Sequence, residues 1–139
     1  MLAGISWGGF LALLYAADHS DDLDGVCLLS PYLGNRMMTT ELLGFESLAG
    51  WSAAMSDTHD ELTEERRMWR YIAGLQPTAS LIRYLGFGAN DRFAQSQRLL
   101  ASQLPPKAVD IVTGGHDSSV WRKLWERLLD RLAGASPGL

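Results

Sequence analysis

The chain has one cysteine in 139 residues, Cys27, so no disulfide can form within it. Cys27 lies inside an apolar run and reads as a buried thiol, which fits a reducing compartment; a cytoplasmic location is the expectation. No Lys or Arg precedes Arg36, so the largely apolar opening from Leu2 to Ala17 lacks the positively charged start of a secretory signal. Its uninterrupted part, Phe10 to Ala17, falls well short of the roughly 20 apolar residues that a membrane-spanning helix needs. Basic residues are outnumbered, 12 Lys and Arg against 16 Asp and Glu, for a net charge of −4. That balance does not favour nucleic acid or an anionic membrane surface as a partner. The Arg66, Arg67 and Arg70 cluster is interleaved with Glu64 and Glu65 and reads as a solvated helix face. The three histidines show no ligand-like spacing, so neither a metal nor a cofactor is expected. There is no internal repeat, no low-complexity segment and no linker, which leaves one domain over residues 1–139.

What is present is a strongly apolar chain, 47% by composition, in which strand-like and helix-like segments alternate. Met1 to Ile5 reads as a strand end. Trp7 to Ala17 reads as a helix, with Phe10, Leu13, Leu14 and Ala17 at the spacing of one face. Gly25 to Leu29 is a continuous apolar run, as expected for a strand buried on both faces, and Ser30-Pro31 stops it. Leu81 to Leu85 is strand-like, Gly86 to Asp91 a glycine-containing loop, and Phe93 to Leu104 a helix ended by Pro105-Pro106. Val109 to Val112 is a last short strand, Gly114 to Asp117 a loop, and Ser118 to Leu132 an amphipathic helix. Alternation of this kind predicts an α/β fold with a parallel sheet of about four strands and flanking helices. Between the second and third strands stands a longer segment, residues 34–77, rich in Met and Trp and helical in pattern; Leu62, Trp69 and Ile72 or Ala73 share one face.

Gly4-Ile-Ser6-Trp-Gly8 sits between the first strand and the first helix. A serine in such a tight strand–turn–helix must take strained backbone angles, and glycines two residues before and after, Gly4 and Gly8, remove side chains expected to clash. The hydroxyl then stands above the sheet, and the N–H of Trp7 becomes a donor for an oxyanion. The plainer alternative is that Ser6 caps the helix.

A nucleophilic serine needs a base, and the base needs an orienting carboxylate. His19 ends the first helix in a polar stretch and reads as a surface residue. His59, between Asp57 and Asp60, suits a helix start or surface. His116 follows the last strand in Gly114-Gly-His-Asp117, at the strand edge where parallel sheets collect active sites. Asp91 follows the third strand, and by itself reads as a cap for the helix from Phe93. Asp117 is the neighbour of His116 in sequence, which makes it a poor orienter, and is placed to cap the last helix. The order Ser6, Asp91, His116, each just past a different strand, is the chain order of one architecture.

From Met1 to about Leu132 the sequence resembles the C-terminal half of an α/β-hydrolase, in the carboxylesterase group that includes esterase-D-like enzymes. The resemblance is carried by Leu2 to Gly9 at the elbow, by Gly25 to Pro31 at the next strand, and by Gly88 to Asp91 at the acid loop. It is also carried by Gly114 to Asp117, followed by Trp121-Arg122, at the histidine loop. It implies Ser6 as nucleophile, Asp91 as acid and His116 as base, with Gly4 and Gly8 structural and Trp7 a backbone donor. The implied activity is hydrolysis of carboxylic esters or related acyl compounds through an acyl-serine intermediate. The alternatives are a non-catalytic binding or remnant protein of the same fold, and an acyltransferase. The resemblance also implies roughly four earlier strands and at least one helix, with the loop carrying a second oxyanion N–H; none of these stands before Met1. Met1 to Ile5 is then an apolar edge that invites pairing. A second copy of the chain or an upstream half of the fold is the expected partner, beside a small-molecule acyl substrate. The 34–77 segment is expected to form a helical cap. Met37, Met38, Trp51, Met55 and Trp69 are candidates to line an acyl pocket, against the alternative that they pack the cap's own helices.

Overall fold

The computed structural model describes residues 1–56 and 62–135. Among them four strands form one parallel sheet, β1 (Leu2–Ile5), β2 (Val26–Leu29), β3 (Ile82–Gly88) and β4 (Val109–Val112), in the spatial order β1-β2-β3-β4. Helix α1 (Trp7–His19) joins β1 to β2. Three helices, α2 (Arg36–Leu43), α3 (Leu48–Ser56) and α4 (Glu64–Ala73), lie between β2 and β3. Helix α5 (Ala94–Ala101) precedes β4, and α6 (Ser118–Ala135) follows it.

The alternation of side chains along β2 explains its unbroken apolar run. Val26 and Leu28 join a core shared with α1, α4 and α5, while Cys27 and Leu29 join a second core with Val120, Leu124 and Leu128 of α6. A strand wedged between two helical layers has no polar face. Burial raises the pKa of the Cys27 thiol, as the sequence suggested for a buried residue. β1 and β4 are the sheet edges, and the outer side chains Ile5 and Ile111 are both exposed.

β3 runs three residues beyond the predicted end at Leu85, through two glycines that read as loop residues in sequence. They belong to the strand because its neighbours come too close for side chains. A Cβ on Gly86 would stand 2.7 Å from Leu124 Cδ2, and one on Gly88 would stand 2.2 Å from the Gly114 carbonyl oxygen. α5 is shorter than predicted: after Ala101 the chain tightens into turns, Gln103 N–H donating to the Leu100 carbonyl and Leu104 N–H to that of Ala101.

The described residues of the 34–77 segment form α2, α3 and α4, whose largest side chains pack inward. Trp51, Met68, Trp69 and Ile72 are fully buried in the first core. The two indole N–H groups are satisfied there, Trp69 donating to the Leu33 carbonyl at 2.7 Å and Trp51 to Glu41 Oε2 at 2.9 Å. Of the acyl-pocket candidates, Met38, Trp51 and Trp69 are therefore core residues, and Met37 is 80% exposed. The arginines of α4 do more than face solvent. Arg66 donates to Glu41, holding that carboxyl below its usual range, and Arg67 ties α4 to Asp18 of α1. Arg70 donates to Ser56 at the end of α3. His59, with Asp57 and Asp60, lies outside the described residues.

Candidate active site

Ser6 occupies the single residue between β1 and α1. Its backbone is in the strained positive-φ region, φ 54° and ψ −118°, a conformation that costs about 1–3 kcal/mol and persists only where the surroundings enforce it. Enforcement comes from both sides. The Ser6 N–H donates to the Leu29 carbonyl at 3.0 Å, and its own carbonyl accepts from Gly9 at 2.9 Å and from Tyr32 at 2.9 Å. The side chain makes no capping bond to α1, so the hydroxyl is left for other work.

The turn is tight at one of the two expected glycines. A Cβ on Gly4 would lie 2.3 Å from the Gly8 carbonyl oxygen and 2.7 Å from the Gly9 nitrogen, so β1 and the first turn of α1 meet backbone to backbone. At Gly8 a Cβ meets nothing within 4 Å; the expected clash is absent there. The second close approach falls one residue later, where a Cβ on Gly9 would sit 2.7 Å from Pro31 Cβ. Trp7 opens α1, so its N–H has no carbonyl one turn back to bond.

Asp91 and His116 stand on adjacent loops at the same end of the sheet. Their relative position is fixed by main chain: Ala89 N–H donates to the Val112 carbonyl at 2.7 Å, and Asn90 N–H to that of Gly114 at 2.9 Å. The absence of a side chain on Gly88 is what permits this approach. Asp91 makes both of the contacts that the two readings of it require. Oδ1 accepts from the Phe93 N–H at 2.8 Å at the entry to α5, while Oδ2 lies 2.8 Å from His116 Nδ1. The Asp91 side chain is fully buried and that of His116 is 9% exposed. Nε2 of His116 lies 2.8 Å from Ser6 Oγ. Three residues separated by up to 110 positions thus form one continuous chain of hydrogen-bonding atoms.

Asp117 has the capping role expected of it: its Oδ1 accepts from the N–H groups of Ser119 and Val120 at the start of α6. The Ser119 hydroxyl donates to the same oxygen, and that bond is the main reason the Asp117 pKa is lowered. His19 is exposed at the end of α1, against Tyr15 and 3.7 Å from Asp22.

The sequence reading sought the walls of the site in Met37, Met38, Trp51, Met55 and Trp69 and gave no role to the aromatic rings around His116. Phe93 and Trp121 hold the His116 ring edge-on from two sides, with centroids at 5.2 and 5.3 Å and interplanar angles of 89° and 83°. Tyr32 packs on Phe93 and on Trp7, extending the aromatic wall across to the elbow. The one available signal was position: Tyr32 and Phe93 each follow a strand end by a few residues. A cavity of about 680 Å³ lies elsewhere, bordered by Met1, Cys27, Tyr84 and Arg131 and by none of these residues.

Among the described residues no group of His, Cys, Asp and Glu is arranged to hold a metal ion, and no helix is long and apolar enough to cross a membrane. No protein-family model matches the chain, and no curated protein matches it in sequence. Solved structures do match. A monoacylglycerol lipase from Paleococcus ferrophilus is similar over 96% of this chain and 68% of its own, at 19% identity and a TM-score of 0.54. A thioesterase domain from the curacin biosynthetic pathway is similar over 95% of this chain and 66% of its own, at 15% identity and a TM-score of 0.46. A carboxylesterase from the thaumarchaeon Nitrososphaera gargenis is similar over 94% and 63%, at 13% identity and a TM-score of 0.46. The parallel sheet, the serine elbow after β1 and the match to the lipase agree: the chain has the α/β-hydrolase fold, from the elbow strand to the helix after the histidine loop.

Proposed function

We propose that the chain acts as a serine hydrolase on carboxylic esters or related acyl compounds, with Ser6 as nucleophile, His116 as general base and Asp91 as its orienting acid. The observation that carries this reading is the run of two 2.8 Å contacts from Ser6 Oγ through His116 to Asp91. With the proton of the neutral imidazole on Nδ1, facing Asp91, Nε2 is free to take the Ser6 proton as Oγ attacks the acyl carbon. The oxyanion that forms is met by the N–H of Trp7. His116 then returns its proton to the leaving alcohol oxygen, and an acyl-serine remains. Water, deprotonated by the same nitrogen, attacks it, and the acid product leaves with Ser6 restored. Burial of Asp91 suits this role, because a charge shielded from water acts more strongly on the one cation that forms beside it. The same machinery passed an acyl group to an alcohol or amine acceptor would make an acyltransferase; water is the simpler acceptor.

A fluorophosphonate probe tests the assignment. It is expected to add covalently to Ser6, located by peptide mass, and to fail in His116→Ala, whose serine has no base. Absence of labelling in the wild-type chain, or labelling at another residue, would favour a non-catalytic protein carrying the same three side chains.

A further inference from the structure

Beside the triad lies a cleft of about 300 Å³ between the loop that enters α2 and the acid loop. Asn35, Arg36, Thr39, Arg92, Phe93 and Ser96 are among its walls. Phe93 connects it to the site, since the same ring that borders the cleft stands edge-on to His116 at 5.2 Å. A group held in the cleft is thus one aromatic ring away from the catalytic base.

The charge in this cleft is of one sign. Two guanidinium groups line it and no carboxylate does. A Cβ on Gly34, which borders the cleft, would stand 3.3 Å from Glu65 Oε2, and Glu65 Oε1 accepts from the Tyr32 hydroxyl at 3.1 Å. Elsewhere Arg66 is matched with Glu41, Arg67 with Asp18 and Glu64, and Arg131 with Asp110, while Arg70 and Arg83 donate to neutral oxygens, the Ser56 hydroxyl and the Asp24 carbonyl. Arg36 and Arg92 have no ion pair among the described residues, and Arg92 is steadied over the Phe93 ring at 4.9 Å. The neutral polar side chains of the cleft are turned to main chain: Asn35 Oδ1 accepts from the Met38 N–H, Ser96 donates to the Phe93 carbonyl and Thr39 to that of Asn35. The charged donors facing a ligand are the two guanidiniums, whose planar fork matches a carboxylate or a phosphate, beside the neutral amides of Asn35 and Gln95.

We propose that Arg36 and Arg92 bind an anionic oxygen group on the substrate, a carboxylate or a phosphate, and so direct the enzyme to short acyl compounds that carry such a group. This rests on the assignment of Ser6, His116 and Asp91 above. A site of this volume, at the small end of ligand pockets, suits a compact charged group better than a long acyl chain.

Binding to the full chain carrying Ser6→Ala separates this proposal from the hydrolase reading, because no turnover is needed. Three esters serve as probes, followed by ligand-observed NMR: monoethyl succinate, 2-acetoxyethyl phosphate and neutral ethyl butyrate. At least one anionic ester is expected to bind about tenfold more tightly than ethyl butyrate, a modest gain because both guanidiniums are exposed. The preference is expected to disappear in Arg36→Gln/Arg92→Gln, surface changes that leave the core untouched, and to weaken as salt is raised. Succinate as the tighter ligand assigns the charge to the acyl chain; the phosphate as the tighter ligand assigns it to the alcohol. Equal binding of charged and neutral esters, binding of none, or a preference that survives the double substitution would overturn the proposal. A preference found in a chain whose wild type turns over no ester would leave the anion site standing and remove the hydrolase reading.

Discussion

Asp91→Asn is expected to lower kcat for ester turnover by about 10⁴-fold, the cost of a wrong histidine tautomer in serine-protease triads, while the chain stays folded. The argument is one of donors and acceptors. Asp91 now accepts at both oxygens, from the Phe93 N–H and opposite His116 Nδ1. An asparagine has the same shape but one oxygen and one NH₂. With its oxygen kept on Phe93, the NH₂ faces His116 and draws the imidazole into the tautomer protonated on Nε2, which points a proton at Ser6 instead of a lone pair. With the amide turned the other way, the NH₂ opposes the Phe93 N–H and the entry to α5 loses its acceptor. Kinetics of p-nitrophenyl ester release and a thermal melt, read on the same sample, check both halves of the expectation. A drop of less than tenfold would show that Asp91 does not set the tautomer.

Gly4→Ala is expected to destabilise the fold by about 3 kcal/mol or more, the upper part of the range for overpacking, because the obstruction is main chain and no rotamer change relieves it. The new methyl would arrive 2.3 Å from the Gly8 oxygen, 2.5 Å from the Gly8 carbonyl carbon and 2.7 Å from the Gly9 nitrogen. To accept it, α1 must lift off β1, and with it go the bonds that hold Ser6 at φ 54°. Gly8→Ala is the internal control. It has open space and a helical position, so it is expected to be neutral or to stabilise by about 0.5–1 kcal/mol. Urea unfolding of the two variants beside the wild type reads the contrast. Equal losses at the two positions would mean that the elbow is not held by backbone contact at Gly4.

Much of this architecture was legible because it depends on local pattern. The apolar run at β2 has no polar alternation because it is buried on both faces, and composition alone shows that. The three residues of the candidate triad were readable because each follows a strand, and a parallel sheet brings strand ends to one edge. What escaped the sequence depends on contacts between distant segments. Gly86 and Gly88 look like loop signals until Leu124 and Gly114 are seen against them. The need for glycine at 9 and not at 8 is set by Pro31, over twenty positions away. Trp51 and Trp69 carry no mark that separates a pocket wall from a core residue; their burial, and the Glu41 and Leu33 acceptors that make it tolerable, exist only in the folded chain. Phe93 and Trp121 take their meaning from the His116 ring between them.

The central claim is that Ser6 is the nucleophile, and turnover of p-nitrophenyl butyrate by the wild-type chain beside Ser6→Ala tests it most directly. Removal of Oγ leaves Asp91, His116 and the Trp7 N–H in place, so any difference between the two belongs to the hydroxyl. The account predicts phenolate release by the wild type that falls to the uncatalysed background in the variant. Equal release from the two chains would contradict it.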